Sequence, residues 1–300
     1  MHLRRALHIA ADAFVLEIGG GSLPDPRSQV LVDRFPDADG IAQRGGGPLV
    51  LGGRPLIQAD GRRLPFKDGC FDYVIASHVI EHLEPTGAVD LATELCRVAT
   101  AGYVEAPSIV YELVRDIPEH RIVVYCGPEG IHVAPKPPRN LAQAFVDPLF
   151  YDPDFCWVVE KHNELFFTGI EWRSDVRVTS HGDWRDLLDF YSGEWAEATV
   201  KAGAAKSDAL RRLRRESRAL AKRYLPSGVV RLITQLRDRA WERHLSVRTP
   251  AMRQQEALDL VVCPSCHSRL QTDERERGLT CVHCGARFAV RPDGIPSLLV

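Results

Sequence analysis

No run of apolar residues in this 300-residue chain approaches the eighteen or so that a membrane-spanning helix needs, so the sequence offers no transmembrane helix. An excess of one charge is lacking too. The 38 basic and 40 acidic side chains leave a net charge of -2, which by itself argues neither for nor against a polyanionic partner. A secretory leader is not read: Met1 to His8 is basic, but Asp12 breaks the apolar run that follows, and a cytoplasmic location is expected. The regular cysteine spacing of a secreted scaffold is also missing. Cys70, Cys96, Cys126 and Cys156 stand alone and read as small core or surface residues in a reducing compartment. What is present is a hydrophobic share of 45%, enough for a sizeable core, over a length that suggests about two domains.

The stretch from Val15 to Ser22, VLEIGGGS, joins a short apolar run to a glycine turn. Such a run forms a central parallel strand buried on both faces, and the glycines after it let backbone approach a ligand that a Cβ would exclude. Pro24 occupies the third glycine position of a G-x-G-x-x-G motif and Pro26 follows. Two prolines so close cannot open a helix toward a pyrophosphate, which argues against the dinucleotide reading. The loop from Ser22 to Ser28 is too short for a helix and must cross in extended form. Gln29 to Asp33 and Pro55 to Asp60 read as further strands, each ending in an acid, so that Glu17, Asp33 and Asp60 fall at neighbouring strand ends. Such carboxylates can hold a ribose diol and an amino group. The segment from Leu64, LPFKDGCFDYVIASH, carries a turn and a fourth strand that ends at Ser77 and His78.

The order acid, acid, acid, then LPF-x-DG-x-FD-x-V resembles the class I S-adenosylmethionine-dependent methyltransferases, in the branch that also has the S-H-V-x-E-H-L stretch found here at 77–83. The resemblance covers residues 13 to about 110. It implies an α/β fold with a Rossmann-like, mostly parallel sheet, and S-adenosylmethionine as cofactor. It further implies that Glu17, Gly19, Gly20 and Gly21 line the methionine part, Asp33 with Arg34 meets the ribose, Asp60 and Gly61 meet the adenine edge, and Ser77 and His78 lie beside the sulfonium.

Thr86 to Ala99 reads as a helix with Leu91, Leu95 and Val98 on one face, followed by a fifth strand, Gly102 to Pro107. Glu105 then lies at the carboxyl edge of the sheet, as a solvated acid or a substrate-facing one. Residues 109–180 read as an insertion on the substrate side, with a hairpin from Ile122 to Val133 and a concentration of histidines, acids and aromatics. Methyl transfer is an in-line displacement in which holding donor and acceptor together supplies most of the catalysis, and a hydroxyl acceptor also asks for a base. His78, His120 and His162 are the candidates, with His120 first because Glu119 and Arg121 flank it.

Residues 183–255 read as a helical linker. Its leucines at helical spacing over 209–245 pack on the catalytic part, and its arginine face is solvated or makes a peripheral contact with lipid or nucleic acid. The last 45 residues, 256–300, carry Cys263-Pro-Ser-Cys266 and Cys281-Val-His-Cys284, two C-x-x-C turns with fourteen residues between them. That spacing suits a tetrahedral structural zinc ion held by Cys263, Cys266, Cys281 and Cys284, ahead of a redox dithiol. His267 and His283 read as neighbours of the ligands. The tail ending D-G-I-P-S-L-L resembles the small zinc-ribbon proteins that activate transfer-RNA and protein methyltransferases, fused here in cis. The resemblance implies a role in covering apolar surface on the catalytic part; a nucleic-acid-reading ribbon is the competing view. The expected function is methylation of a small polar acceptor, a sugar or natural-product hydroxyl. The alternative is an RNA or a translation protein as acceptor, against which no N/D-P-P-Y/F/W motif follows the fourth strand.

Overall fold

Short apolar runs that end in acids form the centre of the molecule. In the computed structural model, which describes residues 7–37, 47–138, 152, 155–156, 158–159, 162–192, 229, 252–273 and 278–300, they become β1 (Val15–Ile18), β2 (Val30–Asp33), β3 (Leu56–Gln58), β4 (Tyr73–Ser77) and β5 (Ala101–Pro107). All but Gln58 in these strands are buried, as in a sheet covered on both faces. They pair in parallel, and β8 (Phe167–Arg173) adds antiparallel to β5, giving the order β3-β2-β1-β4-β5-β8. The order reverses between β1 and β4, and the carboxyl ends of the strands beside such a reversal are where open α/β sheets bind ligands.

Helix α1 (Pro85–Val98) begins with proline at its first position, where no N–H is needed, and buries Ala88, Leu91, Ala92, Leu95 and Val98. Near its end Arg97 donates to the carbonyls of Leu64 and Phe66 and to Asp68, which fixes the LPFKDG turn beneath the helix. Helix α2 (Ile109–Arg115) follows β5, its start capped by Ser108, which accepts from Tyr111 N–H. The expected hairpin is β6 (Ile122–Gly127) and β7 (Gly130–Pro135), joined by β9 (Val178–Ser180) in a second sheet.

One placement differs from the sequence reading. Phe167–Arg173, read as part of an insertion, is the edge strand of the main sheet, entered from the short helix α3 (Asn163–Phe166). Residues 184–192, at the start of the segment read as a helical linker, form a helix and bury Leu187 and Tyr191 against Ile109, Val123 and Ala134. The basic segment 209–245 lies outside the described residues apart from 229.

The C-terminal part starts with α4 (Gln254–Leu258) and a three-stranded sheet of β10 (Leu270–Asp273), β11 (Gly278–Cys281) and β12 (Arg287–Ala289). It docks on the free edge of β3. Gln58 N–H donates to the Pro296 carbonyl at 3.0 Å, and Leu298 N–H donates to the Gln58 carbonyl at 2.7 Å. The Gln254 amide brackets Leu56, donating to its carbonyl and accepting from its N–H. Val262 N–H reaches the Pro65 carbonyl at 2.9 Å. Val261, Cys263, Leu279, Phe288 and Leu298 share one apolar cluster with Leu16, Ile57 and Phe66, so the two parts have a continuous core. No described helix is long and apolar enough to cross a membrane.

Candidate active site

The ends of β1 to β4 stand side by side. Gly19 N–H donates to the Val32 carbonyl and Ala59 N–H to the Asp33 carbonyl, while a Cβ on Gly19 would come within 2.5 Å of Val79. Gly19 and Gly21 have φ of 67° and 56°, so the turn after β1 runs in left-handed backbone that suits glycine. The three acids are therefore gathered on one rim, but their carboxylates do different things.

Glu17 is wholly buried and turns into the loop behind the glycines. Its Oε2 accepts from Asp25 N–H at 2.7 Å and from Ser28 Oγ at 2.8 Å, and Arg54 donates to Ser28 Oγ and to the Asp25 carbonyl. The loop makes turns at Gly20–Leu23 and Asp25–Ser28, with no helix between β1 and β2. Asp33 is buried at the end of β2 and accepts from Phe35 N–H. Asp60 is held by Arg62 at 2.7 Å and by the exposed Arg34 at 2.9 Å. Burial pushes its pKa up, but the bonds from Arg62 and the charge of Arg34 outweigh that and hold it below the usual carboxylate value. Gly61 is a packing position, where a Cβ would sit 3.0 Å from Leu91.

At the end of β4, His78 adopts φ 57°, an uncommon conformation for a side-chain-bearing residue. Its ring is fixed on both sides: Nδ1 lies 3.2 Å from Glu81 Oε1, and Nε2 lies 3.3 Å from Glu105 Oε1. The Phe167 ring meets it edge-on at 5.8 Å. Glu105, wholly buried, also accepts from Tyr103 OH at 2.7 Å and from Ser77 Oγ at 3.2 Å. Burial disfavours a charged imidazole, but Glu105 and Glu81 outweigh it and raise the His78 pKa; reciprocally, burial opposes and His78 favours a depressed pKa at Glu105. Both ring nitrogens of His78 are thus occupied by carboxylates, an arrangement for holding position.

His120 is buried, with Nδ1 on Glu112 of α2, and its ring lies edge-on to His82 with centroids 4.7 Å apart. It borders a cavity of about 290 Å³ shared with Glu84, Asp116, Arg121 and Lys136. Lys136 forms an ion pair with Asp116 at 2.7 Å. His162 is exposed at the start of α3, and its side chain makes no cap there. The structure thus joins His78 to Glu105 directly and to His120 by way of Glu81 and His82. Glu81, His82, Glu112 and Tyr103 were not singled out from sequence as site residues. The signal for the first two was their spacing from His78, which puts Glu81 one turn on.

In the C-terminal part, Cys263 and Cys284 Sγ lie 3.7 Å apart and Cys266 and Cys281 Sγ 3.4 Å apart, all four within 4.8 Å of one another. Zinc–sulfur bonds of about 2.3 Å in a tetrahedron put sulfurs about 3.8 Å apart, so the set fits that ion. The Ser268 N–H pulls the Cys266 thiol down to about 6, whereas at Cys284 the Ala286 N–H is outweighed by the Cys266 and Cys281 thiols, which push it up to about 12. Burial instead pushes Cys70 up to about 11 and Cys126 up to about 12, which keeps those thiols inert.

Residues 29–103 match the family described as methyltransferase domain, and residues 255–292 match the Trm112p-like protein family. No curated protein matches the chain. Among solved structures, a SAM-dependent methyltransferase of Thermotoga maritima, described as a possible histamine N-methyltransferase, is 21% identical with a TM-score of 0.23. That match covers 34% of this chain and 46% of the other, so this chain spans less than half of that relative's length. PKMT2 of Rickettsia typhi, in complex with AdoHcy, is 18% identical over 36% of this chain and 24% of its own, with a TM-score of 0.26. The YcgJ protein of Bacillus subtilis is 17% identical over 75% of this chain and 82% of its own, also at 0.26.

Proposed function

We propose that this chain, a SAM-dependent methyltransferase domain carrying its own Trm112p-like module, moves the methyl group of S-adenosylmethionine to a hydroxyl oxygen of a small polar acceptor, such as a sugar or natural product. The observation that carries this reading is the rim itself. A side-chain-free turn after β1, Asp33 after β2 and a locked His78 after β4 converge at the point where the strand order reverses.

Bound there, S-adenosylmethionine supplies a methyl group on a positively charged sulfur. Gly19 to Gly21 would pass under its methionine end and Asp33 would take the ribose hydroxyls. Glu17 acts through the loop it holds and Arg34 through Asp60, so both are positioning residues. Ser77, Glu105 and Tyr103 keep His78 in place beside the transfer point. The acceptor would enter the neighbouring cavity, where its hydroxyl meets His120. A cavity of about 290 Å³ lined by acids, Arg121, Lys136 and His120 suits a small molecule rich in hydroxyls. The C-terminal part supports the same reading, since it sits on β3, at the opposite edge of the sheet from β5 and β8. There it closes an open edge without lining the cavity, and zinc on its four cysteines would be structural. The unpaired thiols Cys70, Cys96 and Cys126 support a reducing, cytoplasmic setting.

Incubation with methyl-labelled S-adenosylmethionine and separate pools of hydroxylated metabolites, RNA and protein tests the acceptor. Label in the metabolite pool, lost in His120→Ala while calorimetric cofactor affinity is kept, is the expected result. Label in RNA or protein transfers the assignment to a polymer acceptor, and absence of cofactor binding overturns the proposal.

A further inference from the structure

The most unusual polar cluster among the described residues lies one turn beyond His78. Ile80–His82 is a 3-10 turn that packs Ile80 into the core and buries Glu81 completely. Arg121 N–H donates to the Glu81 carbonyl at 2.8 Å, which brings the loop after α2 back across this turn and sets His120 against His82. Glu81, His82 and His120 each present a ligand atom within 4.8 Å of the other two.

Three features separate this cluster from a chance meeting of polar groups. Glu81 gives one carboxylate oxygen to His78, while its Oε2 is buried with no hydrogen-bond partner among the described residues. A buried carboxylate oxygen left unpaired costs about 1–3 kcal/mol or more, so something is expected to satisfy it. The two histidines are also already oriented through one nitrogen each. His82 Nδ1 lies 3.2 Å from the Glu119 carbonyl oxygen, and His120 Nδ1 is bonded to the Glu112 carboxylate. A carbonyl or carboxylate on one ring nitrogen is how proteins fix the tautomer and aim of a metal-binding imidazole, leaving Nε2 for the ion. Glu112 is buried in turn and lies 3.4 Å from Lys136 Nζ, so its own charge is compensated. Finally, His120 borders the open cavity, so an ion at this point would retain positions for an exogenous oxygen.

The geometry points to a binding site for one divalent first-row transition-metal ion, held by Glu81 Oε2, His82 Nε2 and His120 Nε2, with its remaining positions facing the cavity. Two imidazoles and one carboxylate with open positions favour such ions over calcium or magnesium, which prefer all-oxygen sets. Bonds of about 2.0–2.2 Å put neighbouring ligand atoms about 3–3.5 Å apart, so side-chain shifts of about an ångström complete the set. Its use in catalysis rests on the methyl-transfer reading. There the ion would bind the acceptor hydroxyl, lower its pKa and so replace a free histidine base: the proton leaves to water, oxygen bonds the methyl carbon, and the S–CH3 bond breaks with its electrons on sulfur, releasing S-adenosylhomocysteine.

The test uses the full chain carrying one zinc per chain on its four cysteines, with excess zinc removed and the ratio checked by metal analysis, titrated with Mn2+ alone and followed by the loss of the free-ion electron paramagnetic resonance signal. One Mn2+ per chain is expected. Affinity should fall at least tenfold in His82→Ala, His120→Ala and Glu81→Gln, and measurably in Glu112→Gln, while His8→Ala, at an exposed histidine bonded to Glu171, should match the parent. Glu81→Gln keeps the side-chain volume and decides the matter if an alanine variant fails a circular-dichroism check of folding. No binding at millimolar Mn2+, or equal binding by the parent, Glu81→Gln and the folded histidine variants, overturns the site. S-adenosylhomocysteine titrated calorimetrically into the same samples separates the two claims. Manganese binding without it removes the methyl-transfer role and leaves the metal site, whereas its binding without manganese removes the metal site alone.

Discussion

Glu17 holds the loop that follows its own strand. Replacing it with alanine leaves Asp25 N–H without its acceptor, leaves Ser28 Oγ with the Asp25 carbonyl alone, and removes a negative charge that stabilises the buried Arg54 guanidinium. Broken buried networks of this kind cost about 2–4 kcal/mol, so Glu17→Ala should lower the urea midpoint markedly and loosen the 22–28 loop, which raised proteolysis there would register. Asp60 gives a pH dependence whose sign follows from its arginines. Its folded pKa lies below the unfolded value, so the unfolded chain binds the proton more readily. Its stabilising contribution is therefore complete above the usual carboxylate pKa of about 4 and is lost as pH falls through the folded value. Urea midpoints between neutral and acid pH should fall less steeply in Asp60→Asn than in the parent; parallel curves would show that Arg34 and Arg62 contribute nothing. The positions of Glu17, Asp33 and Asp60 on one rim were legible in the sequence because each closes an apolar run. The direction of each carboxylate was not. It depends on Arg54, Arg62 and Ser28, whose approach is set by turns that leave no period in the sequence.

At the scale of elements, β3 is the vulnerable one. A three-residue edge strand has one row of backbone groups facing away from the sheet, and here Pro296 and Leu298 supply partners for Gln58. Leu298→Pro removes the N–H that donates to the Gln58 carbonyl and displaces a leucine that is 1% exposed. A stability loss of about 2–4 kcal/mol is expected, together with concentration-dependent association visible by light scattering as the edge opens. Unchanged stability would mean that the tail is not needed on that edge. Strands β1, β2, β4 and β5 were readable as continuous buried runs. Phe167–Arg173 was not, because only part of it is buried and its partner is antiparallel, so it carries neither the unbroken apolar run nor the crossover helix that announces a parallel neighbour. The hairpin Ile122–Pro135 was legible through Gly127 and Gly130 flanking its turn.

For the molecule as a whole, the decisive quantity is how tightly the cysteine-bearing part is coupled to the sheet. Zinc bound by four thiolates contributes apparent free energies of about 10–16 kcal/mol in isolated modules, comparable to the entire net stability of about 5–15 kcal/mol of a typical domain. If the module stood apart, stripping the ion would unfold it alone and leave the sheet untouched. Here Cys263 and Cys281, two of the four clustered cysteines, belong to the same apolar cluster as Leu16, Ile57 and Phe66 of the main sheet and its flanking turn, and the tail beyond the module pairs with Gln58. Losing the ion therefore removes one wall of the shared core and frees the β3 edge, three residues from Gly61 and two from Asp60. Calorimetric melting of the zinc-loaded chain should show these parts unfolding together. Chelation, or Cys281→Ser, should move that whole transition to lower temperature and weaken S-adenosylhomocysteine binding alongside it. A main transition that keeps its midpoint after zinc loss, with cofactor affinity intact, would instead make the module a passenger that the sheet does not depend on.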